Sequence, residues 1–368
     1  MADNQRAYQP FSLGTTLPNR FAVAPMTRVS ASESGEASAE MATYYERFAR
    51  GGFGLVITEG AYTDQAFAQG YLYQPGISDA AQAEAWAPVV DSIHTGGAAA
   101  FAQIMHSGAK GQGNRFRDHT VAPSAVQPAG EQMAIYYGKG RYAVPRAVTD
   151  EEIADTIAGF AASAARAIAV SGFDGIELHA ANGYLLDQFL TDFSNQRQDR
   201  WGGDARQRMT MIEEVFRAVR QALPGSVPVG VRISQSKVDN LTHKWTERER
   251  AAEAVFGTLS DLGVDFIHVT EHNALAPAFE PGGPTLIALT RRYAPQAALI
   301  ANGALNDLDL IGQALDAGVD IVAIGKVALA NPDLPTRLRV GNTLAAFDPG
   351  ILRPIAHIKS AELEPVSA

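Results

Sequence analysis

A histidine, an asparagine and a tyrosine fall close together at His179, Asn182 and Tyr184, directly after the apolar run Phe173 to Leu178. A buried strand running into a turn would release all three side chains at one rim. His179 and Asn182, read as the start of a helical turn, can present two hydrogen-bond donors to one acceptor. Tyr184, with an ordinary pKa of ~10, is a neutral hydroxyl at pH 7 and a proton donor suited to a developing carbanion. Packing would account equally well for a lone tyrosine, and hydrogen-bonded structure for a lone histidine. Together they point to polarising an oxygen and protonating a carbon.

A second group lies further along. Gly303 and Gly325 end apolar runs, and Lys326 follows at once. Bare backbone N–H groups beside a cation, after the last two strands of a barrel, commonly hold a phosphate. A glycine–lysine pair also occurs in plain turns. Arg232 interrupts the apolar run Val229 to Ile233, where a buried cation requires an anionic partner. An internal salt bridge would serve. So would a flavin ring, whose reduced form gathers negative charge near its N1–C2 carbonyl region.

These residues must be positioned by a repeating framework. Eight short apolar runs alternate with segments of helical spacing: 21–25, 53–58, 99–104, 173–178, 228–233, 265–270, 297–301 and 320–324. Helices are predicted at 44–50, 80–94, 151–171, 207–223, 247–262, 284–293 and 307–317, with a last one after Pro332. Eight βα units imply an α/β fold, a single (β/α)8 TIM barrel over residues 1–368. The run Phe11 to Asn19, turning at Gly14 and Pro18, reads as an N-terminal hairpin plugging the barrel bottom. Residues 107–146 form a long Gly- and Pro-punctuated excursion after strand three, either a lid or a surface elaboration. The strand ends are polar: Pro25-Met26-Thr27-Arg28, Thr58-Glu59-Gly60, Gln103, His179, Arg232, Thr270-Glu271-His272, Asn302-Gly303 and Gly325-Lys326.

Composition narrows the function. A net charge of -10 provides no basic field for nucleic acid or an anionic membrane surface. The polar N-terminus and the lack of any apolar run of ~18 residues point to a cytoplasmic protein without signal peptide or membrane span. With 0 cysteines, disulfides, thiolate metal sites and iron–sulfur clusters are excluded, and no compact metal-ligand cluster is visible. A homo-oligomer is compatible with all of this.

The segment 179–190 and its flanks resemble the old yellow enzymes, FMN-containing ene reductases built on a (β/α)8 barrel. The resemblance runs from about Phe11 to Lys359. It takes in Ala24-Pro25-Met26-Thr27-Arg28, Gly52 to Gly60, Gln103-Ile-Met-His106-Ser-Gly108, Asn195-Gln-Arg197 with Trp201-Gly-Gly203, and Ala330 to Pro335. It implies bound, non-covalent FMN with NAD(P)H as reductant. Pro25, Met26 and Thr27 would lie against the flavin, Gly60 close to the ring, Gln103 at the pyrimidine edge and Arg232 near N1. Gly303, Gly325 and Lys326 would take the phosphate. His179 and Asn182 would bind the substrate carbonyl, hydride would pass to the β-carbon, and Tyr184 would protonate the α-carbon. Tyr71 is expected to contact substrate, and side chains of the 107–146 excursion, with Trp245, His272 and Phe279, to shape the pocket.

Departures are informative. Lys326 stands where the family usually has arginine, replacing a bidentate fork by a point charge. Asn182 stands where some members have a titratable histidine. The absence of cysteine removes the related dienoyl-CoA reductases and dihydrouridine synthases. A phosphate-binding lyase or aldolase without flavin, using Glu59, Glu177 and His179, is the alternative; it lacks a lysine on an interior strand for a Schiff base.

Overall fold

The computed structural model describes residues 4–364. Period-two alternation in eight strands decides the architecture, because each strand carries one set of side chains to the surrounding helices and the other set inward. The strands are β1 (Phe21–Val23), β2 (Leu55–Ile57), β3 (Ala99–Met105), β4 (Gly175–Asn182), β5 (Val229–Lys237), β6 (Phe266–Thr270), β7 (Ala298–Asn302) and β8 (Ile321–Ile324). Each pairs in parallel with the next, and β8 pairs with β1, so the sheet closes into the expected (β/α)8 barrel.

Helices α1 (Ala39–Arg50), α2 (Ala80–Thr95), α3 (Asp150–Ala169), α5 (Thr210–Ala222), α6 (Glu249–Asp261), α7 (Leu286–Tyr293) and α8 (Leu308–Asp316) follow strands much as the apolar spacing predicts. Side-chain caps fix several starts: Ser38, Asp79, Thr285 and Asp307 each accept a backbone N–H from the first turn, and Thr149 with Glu152 forms a capping box. Short helices α4 (Leu185–Leu190), α9 (Lys326–Ala330) and α10 (Leu334–Arg339) supplement them. Helix α4 was not visible in the apolar spacing, since its residues are buried all round and give no amphipathic stripe.

Inward-facing residues change character along the barrel. Leu55, Ile57, Phe101, Phe266, Ile300 and Ile321 fill the N-terminal end. The hairpin Phe11–Leu13 with Thr15–Leu17 turns at Gly14 (φ 66°) and delivers Leu13 and Leu17 into that cluster, so it does plug the bottom. Towards the C-terminal end the interior becomes polar, with Gln103, Glu177, His179, Arg232, His268 and Thr270 all buried. Uncompensated burial of so many polar groups would be costly, so this layer marks where a ligand belongs.

Two strands run well past their expected ends, whereas β3 and β7 exceed theirs by a single residue. β4 continues from Leu178 to Asn182 and β5 from Ile233 to Lys237, with a register irregularity between Ile233 and Lys237 that lets the two stay paired. This places a lysine, Lys237, at the end of an interior strand, contrary to expectation. It is buried with both carboxylate oxygens of Asp187 at 2.6 and 2.7 Å.

The excursion after β3 is tied down by Val121–Ala122 pairing with Arg146–Ala147, and it carries a turn of 3-10 helix at Ala134–Tyr136. The C-terminal segment returns to meet it: Ala356 N–H donates to Ile135 O at 2.8 Å. Arg28, fully buried, holds this segment through both Glu362 carboxylate oxygens at 2.6 Å and through the Ala356 carbonyl at 3.0 Å. Removing one partner from such a pair strands the other charge, at a cost of about 3–5 kcal/mol. Glu362→Ala should therefore lower the thermal unfolding midpoint measurably; an unchanged midpoint would mean the backbone carbonyls alone satisfy Arg28.

Candidate active site

Two adjoining cavities open at the C-terminal ends of the strands and share Pro25, Met26, Arg232 and Lys326 as walls. Thr27, Gln103, His179, Asn182 and Tyr184 line the first; Asn302, Gly303, Gly325 and His272 line the second. Most of the residues singled out from sequence are thus brought together along one elongated space, with Gly60, Tyr71, Trp245 and Phe279 outside its walls.

His179 is an inward residue of β4, in register with Arg232 on β5, and is 3% exposed. Its Nδ1 is buried without a protein partner. Burial, aided by the Arg232 charge and by His268, pushes the imidazole well below the usual histidine range, so it is neutral at pH 7. Asn182 follows on the same strand, not in a helical turn as expected. Three residues apart on a regular strand would face opposite sides. Asn182 instead takes φ 62°, a left-handed conformation asparagine tolerates, and this returns it to the His179 side. Ser234 Oγ accepts its N–H at 2.8 Å, and its carbonyl accepts from Val238 at 3.1 Å.

Tyr184 stands at the start of α4, its ring edge-on to His179 at 4.8 Å between centroids. Its hydroxyl lies 2.5 Å from that of Tyr71. Tyr71 is therefore not on the cavity wall as expected; it is fully buried behind Tyr184 and packs on Tyr136 at 4.9 Å. Burial raises both phenols, Tyr71 well above its ordinary value, while the hydrogen bond shared with Tyr71 and the charge of Arg232 restrain the rise of Tyr184.

At the far end, a side chain at Gly303 (φ 139°) would collide with the Glu271 carbonyl, so the site requires glycine. A Cβ at Gly325 would stand in ordinary van der Waals contact, with Met26 Sδ nearest at 3.8 Å, so packing does not demand glycine there. Lys326 begins α9 beside it. Gly60 is off the wall, packed so that a Cβ would strike Met105, which itself lines the first cavity. Trp245 and Phe279 line neither cavity, and Trp245 packs on Phe256. Met133 and Tyr136, from the excursion expected to shape the pocket, also form walls, as do Met105, Val238, Leu329 and Leu352, which were not foreseen. These last four are ordinary side chains on loops and element ends, with no local pattern to announce them.

The arrangement suits FMN. Exposed backbone and a lysine at one end match a phosphate; unpartnered His179 Nδ1 and Arg232 Nε at the other match a polar ring or its bound substrate. Barrel and site define a class, the mononucleotide-binding barrel oxidoreductases. Residues 7–344 match the model of the NADH:flavin oxidoreductase / NADH oxidase family, and the chain belongs to that family. It is 33% identical over 346 residues to a probable flavin mononucleotide-dependent alkene reductase from Leishmania infantum, covering 91% of this chain and 90% of that protein. Among solved structures, the old yellow enzyme homologue from Zymomonas mobilis superposes with TM-score 0.86 at 30% identity, covering 98% and 99% of the two chains. Morphinone reductase in complex with tetrahydroNAD gives TM-score 0.82 at 30% identity, covering 94% and 93%.

Burial also lowers His106 and His268 below 6.5, as it does His179. Below an unfolded-state pKa of ~6.5 the unfolded chain takes up protons that these buried rings do not, so stability falls as pH falls. The unfolding midpoint should drop between about pH 7.5 and 5.5, and His179→Gln should flatten that slope. A slope identical in the variant would show that His179 titrates normally.

Proposed function

We propose that His179 and Asn182 grip the carbonyl oxygen of an α,β-unsaturated carbonyl, or of a similarly activated alkene, and that Tyr184 protonates its α-carbon. The enzyme is an FMN-dependent ene reductase with NAD(P)H as reductant. Bound FMN, once reduced, supplies the hydride. In this reading Pro25, Met26, Thr27 and Gly60 support the ring, Gln103 meets its pyrimidine edge, Arg232 faces its N1 side, and Gly303, Gly325 and Lys326 take its phosphate.

The observation that carries the reading is the juxtaposition of a neutral imidazole, an amide and a phenol on one wall, with Arg232 beside them. Two neutral donors aimed at one oxygen stabilise the enolate charge that develops as the β-carbon is reduced. Because His179 is held neutral and asparagine does not titrate, the grip stays constant across neutral pH. Tyr184 then delivers its proton, and the adjacent Tyr71 hydroxyl steadies the resulting phenolate. Met133 and Tyr136 make residues 107–146 a lid that excludes water from the reacting carbon, within one barrel unit of residues 1–368. The same reading keeps the enzyme in the cytoplasm, beside its nicotinamide supply, and is compatible with a homo-oligomer.

The flavin-free lyase or aldolase has no support in the family matched. Its Schiff-base lysine is also missing, since the ammonium of Lys237 is engaged by Asp187.

Tyr184→Phe should slow alkene reduction by about 10²–10⁴-fold while leaving flavin reduction by NAD(P)H almost intact. Equal loss in the two half-reactions, followed by stopped-flow absorbance, would make Tyr184 structural. His179→Ala and Asn182→Ala should each weaken phenol or enone binding about tenfold, corresponding to the loss of one hydrogen bond, with little change in FMN affinity. Lys326→Arg should tighten FMN by restoring a bidentate phosphate contact; unchanged affinity in a fluorescence titration would place the phosphate elsewhere.

A further inference from the structure

One buried acid takes no part in that chemistry. Glu177 is fully buried on β4, two residues before His179, hence on the same inward face and one layer deeper. Gln103 faces it in register on β3, and Gln103 Nε2 donates to Glu177 Oε1 at 2.7 Å. On the other side His268, also fully buried, lies with Nδ1 2.7 Å from Oε2. Burial keeps His268 neutral despite Glu177, so its Nδ1–H donates and its Nε2 is left without a partner. Although burial pushes the Glu177 carboxyl up, His268, Arg232 and Gln103 together outweigh that push and hold it ionised.

The layer therefore contains one full negative charge, bound by two neutral donors, and one full positive charge on Arg232. Arg232 reaches only Thr270 Oγ1 at 3.3 Å and Asn302 Oδ1 at 3.5 Å among the described residues. Gln103 and Arg232 both line the cavity, whereas Glu177 does not. It acts on that cavity only through its neighbours.

We infer that Glu177 is a positioning residue that orients the Gln103 amide and, by offsetting the Arg232 charge, keeps the potential of the bound flavin low. The first part follows from valence. With its NH2 committed to Glu177, Gln103 offers its carbonyl oxygen to the ligand, the right atom to accept an imide N–H at the pyrimidine edge of a flavin. The second part follows from charge. Reduction adds negative charge to the ring; a cation nearby favours it, and a carboxylate behind that cation subtracts from the effect. The inference rests on the FMN reading above.

The test is the midpoint potential of the Glu177→Gln holoenzyme, measured by spectroscopic equilibration with reference dyes. Glutamine has the same shape, can accept from Gln103, and can donate to His268 once that ring carries its proton on Nε2. The charge alone is changed. The potential should become more positive, with the ratio of reduced to oxidised flavin affinity rising at least tenfold, flavin reduction by nicotinamide faster and reoxidation by the alkene slower. His268→Gln keeps the charge and a donor to Glu177, so its potential should match the parent. Should the single variant not fold, Glu177→Gln/His268→Leu removes the same charge without leaving an imidazole unpaired, and carries the same prediction. A potential that is unchanged or lower without the charge overturns the inference, as does an equal shift in His268→Gln. If the parent protein takes up no FMN, the flavin reading itself fails; if it binds FMN and only the shift is missing, this inference alone is lost.

Discussion

A guanidinium buried in the interior of a barrel, 5% exposed and, among the described residues, with only a hydroxyl and an amide oxygen to accept its hydrogen bonds, is the constraint around which this molecule is arranged. An isolated buried charge costs several kcal/mol. Closure of eight strands leaves nowhere for Arg232 to reach solvent except the cavity above it. The polar interior layer answers that need from below, through the carboxylate of Glu177. The unpartnered Nε and the neighbouring His179 await something from above. An apolar floor at Phe101, Phe266 and Ile300, plugged by the N-terminal hairpin, keeps water from relieving the charge from the other end.

The turn between Asn182 and Tyr184 is over-determined in a related way. Asn182 and Gly183 both have positive φ, a conformation that costs energy at Asn182 and needs surrounding bonds to persist. Those bonds are present. Gly183 N–H is accepted by Asp187 at 2.6 Å, its carbonyl accepts from Gln188 at 2.7 Å, and Asp187 is anchored in turn by buried Lys237. Extension of β4 and β5 past their apolar cores is what brings Lys237 within reach. The left-handed turn is thus held by a buried ion pair behind it.

Much of this was legible in the residues, and the exceptions have physical reasons. Strand count, helix placement and barrel closure follow from apolar periodicity, which burial enforces along whole elements. Gly303 was legible as a glycine that backbone contact demands. The geometry of His179 and Asn182 was not: one left-handed residue reverses the direction of a side chain, and asparagine tolerates that state without advertising it. Tyr71 was placed on the wall because its contact with Tyr184 joins residues distant in the chain. Leu352 was invisible for the same reason, since long loops are positioned by contacts that no local pattern encodes.

The most direct test is the visible absorption of the purified protein after FMN is added, excess flavin is removed by gel filtration, and reagents are introduced without oxygen. One flavin should co-elute per chain, its colour should bleach with reduced nicotinamide, and the colour should return when an enone is added. Flavin that washes away would contradict the account of the cavity. Flavin that bleaches but is not reoxidised by any activated alkene would contradict the account of Tyr184 and its neighbours.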